Sequence, residues 1–134
     1  MAKRVLVVDD HAPTRSTIRA LLETDKAHVF EVVEAANGTE CLMVFDSHGP
    51  FDLVLLDVAM PDLDGFAVCT ALRRVDKFVP VVFITGQRDL KDFNSGREAG
   101  GDSYLVKPIA RAALRSIVNL FTSIERAKRP DFGA

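Results

Sequence analysis

Five short apolar runs punctuate the chain, and each gives way to turn residues and then to a stretch with helical spacing. They occupy residues 4–8, 29–34, 53–56, 79–84 and 104–106. The first, third and fourth are nearly continuous Val, Leu, Ile and Phe with no in-out alternation. That is the pattern of strands covered on both faces of a parallel sheet. The second mixes Glu31 and Glu34 with Val32 and Val33, which places it at an edge.

Helices are expected between the runs. Thr14, Ile18, Leu21 and Leu22 share one helical face, as do Leu114, Ile117, Val118, Phe121 and Ile124. Asn37-Gly38 breaks the chain before a short helix carrying Leu42 and Phe45, and residues 66–75 offer Val68, Leu72 and Val75 as a buried stripe. The fourth helix, about residues 90–99, is polar and holds Gly96 inside it, where glycine costs roughly 1 kcal/mol against alanine. It reads either as a thinly packed surface helix or as an element able to move. Strand-helix alternation repeated five times implies an α/β, doubly wound domain with parallel strands and right-handed crossovers. Residues 1–126 are expected to form it, and 127–134, with Lys128, Arg129 and Pro130, to be a C-terminal tail or linker.

In such folds ligands bind beyond the carboxyl ends of the strands. The first run ends in Asp9-Asp10, the third in Asp57, the fourth in Thr85-Gly86 and the fifth in Lys107-Pro108. Three carboxylates, a hydroxyl and an ammonium are thus expected on one sheet edge. Close carboxylates repel, and a hard divalent cation with oxygen ligands relieves them; Mg2+ suits best, because it keeps waters and accepts phosphate oxygens. Lys107 supplies a flexible positive charge for a phosphate oxygen, and Thr85 a hydrogen-bond donor. A carboxylate between Mg2+ and a lysine is an effective in-line nucleophile for phosphoryl transfer and needs no general base. Each residue alone has a plainer explanation: a helix cap for the acidic pair, a turn for Thr85, a solvated surface lysine for Lys107. Their coincidence at matching strand ends carries the argument.

Composition narrows the classes. The 134 residues suit one domain with a sizeable core, and 48% hydrophobic with 27% charged residues fits a folded globular chain. The 17 basic against 19 acidic residues leave a formal charge of −2, which argues against direct nucleic-acid binding. The apolar run at residues 5–8 ends at Asp9, far too short for a signal segment or membrane span, so no membrane partner is expected. Cys41 and Cys69 lack ligand spacing and read as buried thiols, and a reducing cytoplasm is the expected location.

The segments Val5-Leu6-Val7-Val8-Asp9-Asp10, Asp57-Val58-Ala59-Met60-Pro61-Asp62-Leu63-Asp64-Gly65, Thr85-Gly86 and Tyr104-Leu105-Val106-Lys107-Pro108 resemble bacterial response-regulator receiver domains of the chemotaxis-regulator type. The resemblance covers residues 3–125. It implies a flavodoxin-like five-stranded sheet of order 2-1-3-4-5 with helices on both faces. It also implies Asp57 as phosphoacceptor, and Mg2+ ligated by Asp10 directly, by Asp9 largely through water, by Asp57 and by the backbone carbonyl of Ala59. Lys107 would bind the phosphoryl group, Thr85 would move toward it, and Tyr104 would be the switch aromatic. The Lys107–Pro108 bond would be cis. Implied partners are a histidine kinase or histidine phosphotransfer protein as donor, and a downstream protein or output domain. The latter would read the fourth helix, fifth strand and fifth helix, with a homodimer on activation as a further option. Such a domain is a phosphoacceptor switch rather than an enzyme with turnover. Gly100-Gly101 stands where Gly-Ala is usual and is expected to loosen the approach to the fifth strand.

Rival readings predict different residues. A phosphatase of the haloacid-dehalogenase type wants its nucleophile in Asp-x-Asp after the first strand, where this chain has Asp9-Asp10. A nucleotide- or flavin-binding domain wants a glycine-rich phosphate loop, where this chain has Asp9-Asp10-His11-Ala12-Pro13. The intact acidic pair, Asp57, Thr85 and Lys107 weigh against a receiver-like interaction module that is never phosphorylated, which experiment alone excludes. His11, beside the acidic pair, is expected to begin the first helix and face water rather than to carry a phosphoryl group.

Overall fold

In the computed structural model, residues 2–86 and 90–123 are described, with the backbone alone for 90–92. Ten elements alternate: β1 (Lys3–Val8), α1 (Ala12–Glu23), β2 (Phe30–Ala35), α2 (Gly38–His48), β3 (Leu53–Asp57), α3 (Gly65–Val75), β4 (Val81–Thr85), α4 (Leu90–Glu98), β5 (Ser103–Val106) and α5 (Arg111–Thr122). The expected tail, 127–134, and Ile124 lie outside the described residues.

All strand pairs are parallel, in the order β2-β1-β3-β4-β5. Alternate residues of each strand feed two separate cores. Leu6, Val8, Val54, Leu56, Val81 and Phe83 meet Cys41 of α2 and Val68, Cys69 and Leu72 of α3. Val5, Val7, Leu53, Leu55, Val82 and Ile84 meet Ile18 and Leu22 of α1 and Leu114 and Val118 of α5. The central strands β3 and β4 are buried along their whole length, which explains their lack of alternation. On β2, Glu31 is exposed, as an edge strand allows.

Several boundaries and stripes differ from the sequence expectation for physical reasons. The fourth strand begins at Val81 rather than at residue 79, because Pro80 has no N–H to give to a ladder; Pro80 offers its carbonyl to Val54 N instead. Val75 is 76% exposed, and Cys69 takes its place in the buried stripe of α3. The helix stops at Val75, and the next inward position belongs to its C-cap, Asp76. Gly100-Gly101 is tight rather than loose. Gly100 has φ +96°, the left-handed region that favours glycine, and a Cβ on Gly101 would sit 2.1 Å from Phe83 Cε2. Arg73 fastens the same turn, donating to the carbonyl of Gly100 at 2.9 Å and to Asp102 at 3.0 Å. The Lys107–Pro108 bond is cis, and so is Gly49–Pro50. Cys41 and Cys69 are buried and free, and burial pushes their thiols up to about 12 and about 11.

Candidate functional site

The carboxyl ends of β1 and β3 lie side by side, in a register that pairs Val8 with Leu56, so the acidic residues that follow converge. Asp9, Asp10 and Asp57 each present a carboxylate oxygen within 4.8 Å of the others. Asp9 and Asp57 are buried and Asp10 is exposed. Lys107, just past β5, brings its Nζ to 3.1 Å from Asp9 Oδ2 and 3.6 Å from Asp57 Oδ1. Thr85 is buried at the end of β4, and its carbonyl accepts from Lys107 N at 2.7 Å, which fixes where the lysine leaves the strand. All five polar residues expected from the strand ends therefore fall on one edge.

The electrostatics of the cluster are unbalanced. Asp57 is pushed up to about 6, first by burial and then by the Asp9 charge, with Asp10 adding to the effect. The Lys107 charge and the backbone N–H of Ala59 work in the opposite direction but do not cancel it. Burial on its own would lower Lys107; the Asp57 and Asp9 carboxylates outweigh it and raise that ammonium. Asp9 Oδ1 accepts from the N–H of His11 at 2.8 Å. Asp9 Oδ2 is buried and receives no aligned hydrogen bond among the described residues, although it is ion-paired with Lys107. A buried carboxylate oxygen so placed, in a group of three anions with one lysine, is a fitting donor set for a hard divalent cation.

Three further residues shape the site and were given no role in the sequence reading. Arg15, one turn into α1, donates to the Asp9 carbonyl at 2.6 Å and pairs with Glu34 of β2 at 3.1 Å, tying helix, central strand and edge strand together. Gly65 lies against β3: a Cβ there would be 2.4 Å from the Asp57 carbonyl oxygen. Asp62 reaches across to the start of α2, accepting from Thr39 Oγ1 at 2.8 Å. Only Gly65 left a sequence signal, as the glycine after the N-cap Asp64; the other two act between elements distant in sequence. His11 is the exposed N-cap of α1, and its Nδ1 is 2.8 Å from Thr14 Oγ1. Tyr104 is half-buried, with its ring turned inward between Phe83 and Phe93.

The structure is thus a doubly wound parallel sheet with an acidic, lysine-flanked cluster at its carboxyl edge, where folds of this class bind ligands. The family described as response regulator receiver domain matches residues 5–119, and the chain belongs to this family of two-component signalling domains. It is 41% identical over 121 residues to a probable transcriptional regulator, ycf27, of Cyanophora paradoxa, covering 87% of this chain and 48% of that protein. It is also 41% identical over 111 residues to the transcriptional regulatory protein PrrA of Mycobacterium tuberculosis, covering 83% of this chain and 46% of that protein. The chain thus spans about half the length of the curated relatives it matches. Among solved structures, a CheY-like receiver domain protein from Methanospirillum hungatei superposes with TM-score 0.85 at 26% identity, covering 96% and 98% of the two chains. The chemotaxis protein CheY4 of Vibrio cholerae gives 0.84 at 28% identity, covering 90% and 99%. Among the described residues no helix is long and apolar enough to cross a membrane.

Proposed function

We propose that the chain accepts a phosphoryl group on Asp57 from a phosphohistidine donor, a histidine kinase or a histidine phosphotransfer protein, and works as a switch rather than as an enzyme with turnover. The observation that carries this reading is the convergence of Asp9, Asp10 and Asp57 within 4.8 Å beside the Lys107 ammonium. Asp10, Asp57 and the Ala59 backbone carbonyl would hold Mg2+ directly, and Asp9 largely through water. Bound there, Mg2+ would neutralise charge on the phosphoryl oxygens and on the carboxylates.

The chain's own residues do the rest. Asp57 supplies the nucleophilic oxygen; a P–O bond forms to it as the P–N bond to the donor imidazole breaks. Lys107 pairs with one phosphoryl oxygen, and the hydroxyl of Thr85 donates to another. A groove of about 340 Å³ opens beside Lys107, between α1 and the residues that follow β5, with His11, Ile18, Pro108 and Ile109 among its walls. Once phosphorylated, Asp57 carries added charge and acceptor oxygens, and the position of Thr85 follows them. Tyr104, α4, β5 and α5 then shift population between two arrangements, read by a downstream protein, an output domain or a second copy. The names of the longer relatives, transcriptional regulators, favour an output domain as reader.

Intact mass after incubation with acetyl phosphate and Mg2+ tests the reading. One added phosphoryl group, absent from Asp57→Asn and abolished by EDTA, is expected. No added mass, together with no detectable Mg2+ binding, would overturn it in favour of an interaction module that is never phosphorylated.

A further inference from the structure

Among the described side chains of helix α4, Phe93 to Glu98, none is an apolar side chain buried in the core. Of its residues from Phe93 to Glu98, only Gly96 is buried. A Cβ on Gly96 would lie 1.7 Å from Tyr104 Oη, 2.6 Å from Tyr104 Cζ and 2.9 Å from Phe83 Cε2. The space where a helix normally inserts a knob is thus filled from the other side, by the phenol of Tyr104 on β5. That phenol donates to the Phe93 carbonyl at 3.1 Å. Its ring meets Phe93 edge to face at 4.6 Å and lies 5.3 Å from Phe83, which packs on Phe66 of α3 at 5.1 Å. Phe83 and Thr85 share a face of β4, and Tyr104 and Val106 are their register partners on β5.

We propose that Gly96 is a positioning residue: its missing side chain forms the niche that holds Tyr104 inward, so that the Tyr104 ring and helix α4 move only as one unit. A ring that swings out removes the anchor of α4, and a helix that lifts away empties the niche and frees the ring. The regulatory consequence, that displacement at Thr85 reaches α4 through this knob and hole, rests on the phosphoacceptor reading of Asp57. The niche itself does not.

The chain has one Tyr and no Trp, so tyrosine emission reports on Tyr104 alone. In Gly96→Ala, acrylamide quenching of that emission is expected to rise toward the value of the chain unfolded in denaturant. Alanine is the better helix former, so on a free helix surface the substitution would stabilise. Here the unfolding equilibrium constant is expected to rise about tenfold, a typical coupling for residues in contact. In a Tyr104→Ala background the same substitution is expected to cost far less, since only the 2.9 Å approach to Phe83 Cε2 remains. Native-like quenching and stability in Gly96→Ala would overturn the niche. A cost that persists undiminished in the Tyr104→Ala background would overturn it too, as would a double variant that fails to fold when Tyr104→Ala alone folds. None of these readouts involves phosphoryl transfer, so failure of the Asp57 reading shows separately, as absence of added mass in the native chain. For the coupling, hydrogen exchange of α4 amides is expected to respond to acetyl phosphate with Mg2+ in the native chain. Gly96→Ala is expected to gain the same phosphoryl mass and lose that response; a retained response would overturn the coupling.

Discussion

Desolvation falls unequally on the three carboxylates, because Asp10 faces solvent while Asp57 is 3% exposed and Asp9 fully covered. For Asp57 the result is a proton held to about 6 in the folded chain against 3.8 for the ordinary group. A folded-state value above the unfolded one favours the fold while the group is protonated. The contribution is complete below about pH 4 and is lost as pH rises through about 6. In EDTA, Asp57→Asn is therefore expected to be more stable than the native chain at pH 8, by up to about 3 kcal/mol at one pKa unit per 1.4 kcal/mol. The advantage should shrink to nothing near pH 4. Denaturant midpoints across that range check it, and an advantage independent of pH would mean that charge is not its source. The same residue shows why chemistry was legible before structure. Asp9, Asp10, Asp57, Thr85 and Lys107 are all strand-end residues of short apolar runs, and a parallel sheet collects such ends at one edge. Arg15 left no such mark, because its partners Asp9 and Glu34 become its neighbours only when α1 lies across two strands.

Between elements, the segment following Asp57 is fastened at both ends. Gly65 N donates back to the Val58 carbonyl at 2.9 Å, and the Asp64 side chain caps α3 by accepting from Ala67 N at 2.8 Å. Asp62 accepts from Gly38 N and Thr39 N at 3.2 Å each, at the positive end of α2. Its own Leu63 N–H, then Thr39, hold the Asp62 carboxyl down to about 2. The linkage runs opposite to that of Asp57: stability is present above about pH 4 and is lost as pH falls through about 2. Asp62→Ala is expected to lower Tm at neutral pH, with the gap closing as pH drops from about 4 toward 2. A gap that stays constant across that range would show that the loop is not held by charge. Element existence was legible in the alternation of apolar runs and turn residues, whereas inter-element fit was not. Val75 continued the helical spacing of Val68 and Leu72 yet lies past the edge of the packed stripe. Gly96 and Gly101 read as weak points, whereas a Cβ at either position would run into the rings of Tyr104 and Phe83. Such fits depend on which ring faces which backbone across the sheet, information that no single segment carries.

At the scale of the whole molecule, the fold sets three anionic groups and one ammonium at one sheet edge, with two apolar cores behind them. Their mutual repulsion and desolvation oppose folding, and any cation that binds only the folded arrangement returns that free energy through linkage. Mg2+ at a hundredfold its dissociation constant is expected to add about 2.7 kcal/mol, or roughly 10 °C in Tm for a domain of this size. Diffuse screening predicts something different. NaCl at matched ionic strength weakens repulsion between exposed charges but reaches buried pairs poorly, so its effect should be small. Site binding also predicts saturation, and loss of most of the increment in Asp10→Asn and in Asp57→Asn. Thermal unfolding of the three chains against Mg2+ and against NaCl separates the cases. A saturating increment unique to Mg2+ and dependent on both carboxylates identifies the pocket as the site. Equal increments from the two salts, or an increment that survives both substitutions, would place the effect elsewhere on the molecule and deprive Asp57 of the charge neutralisation that phosphoryl transfer to it requires.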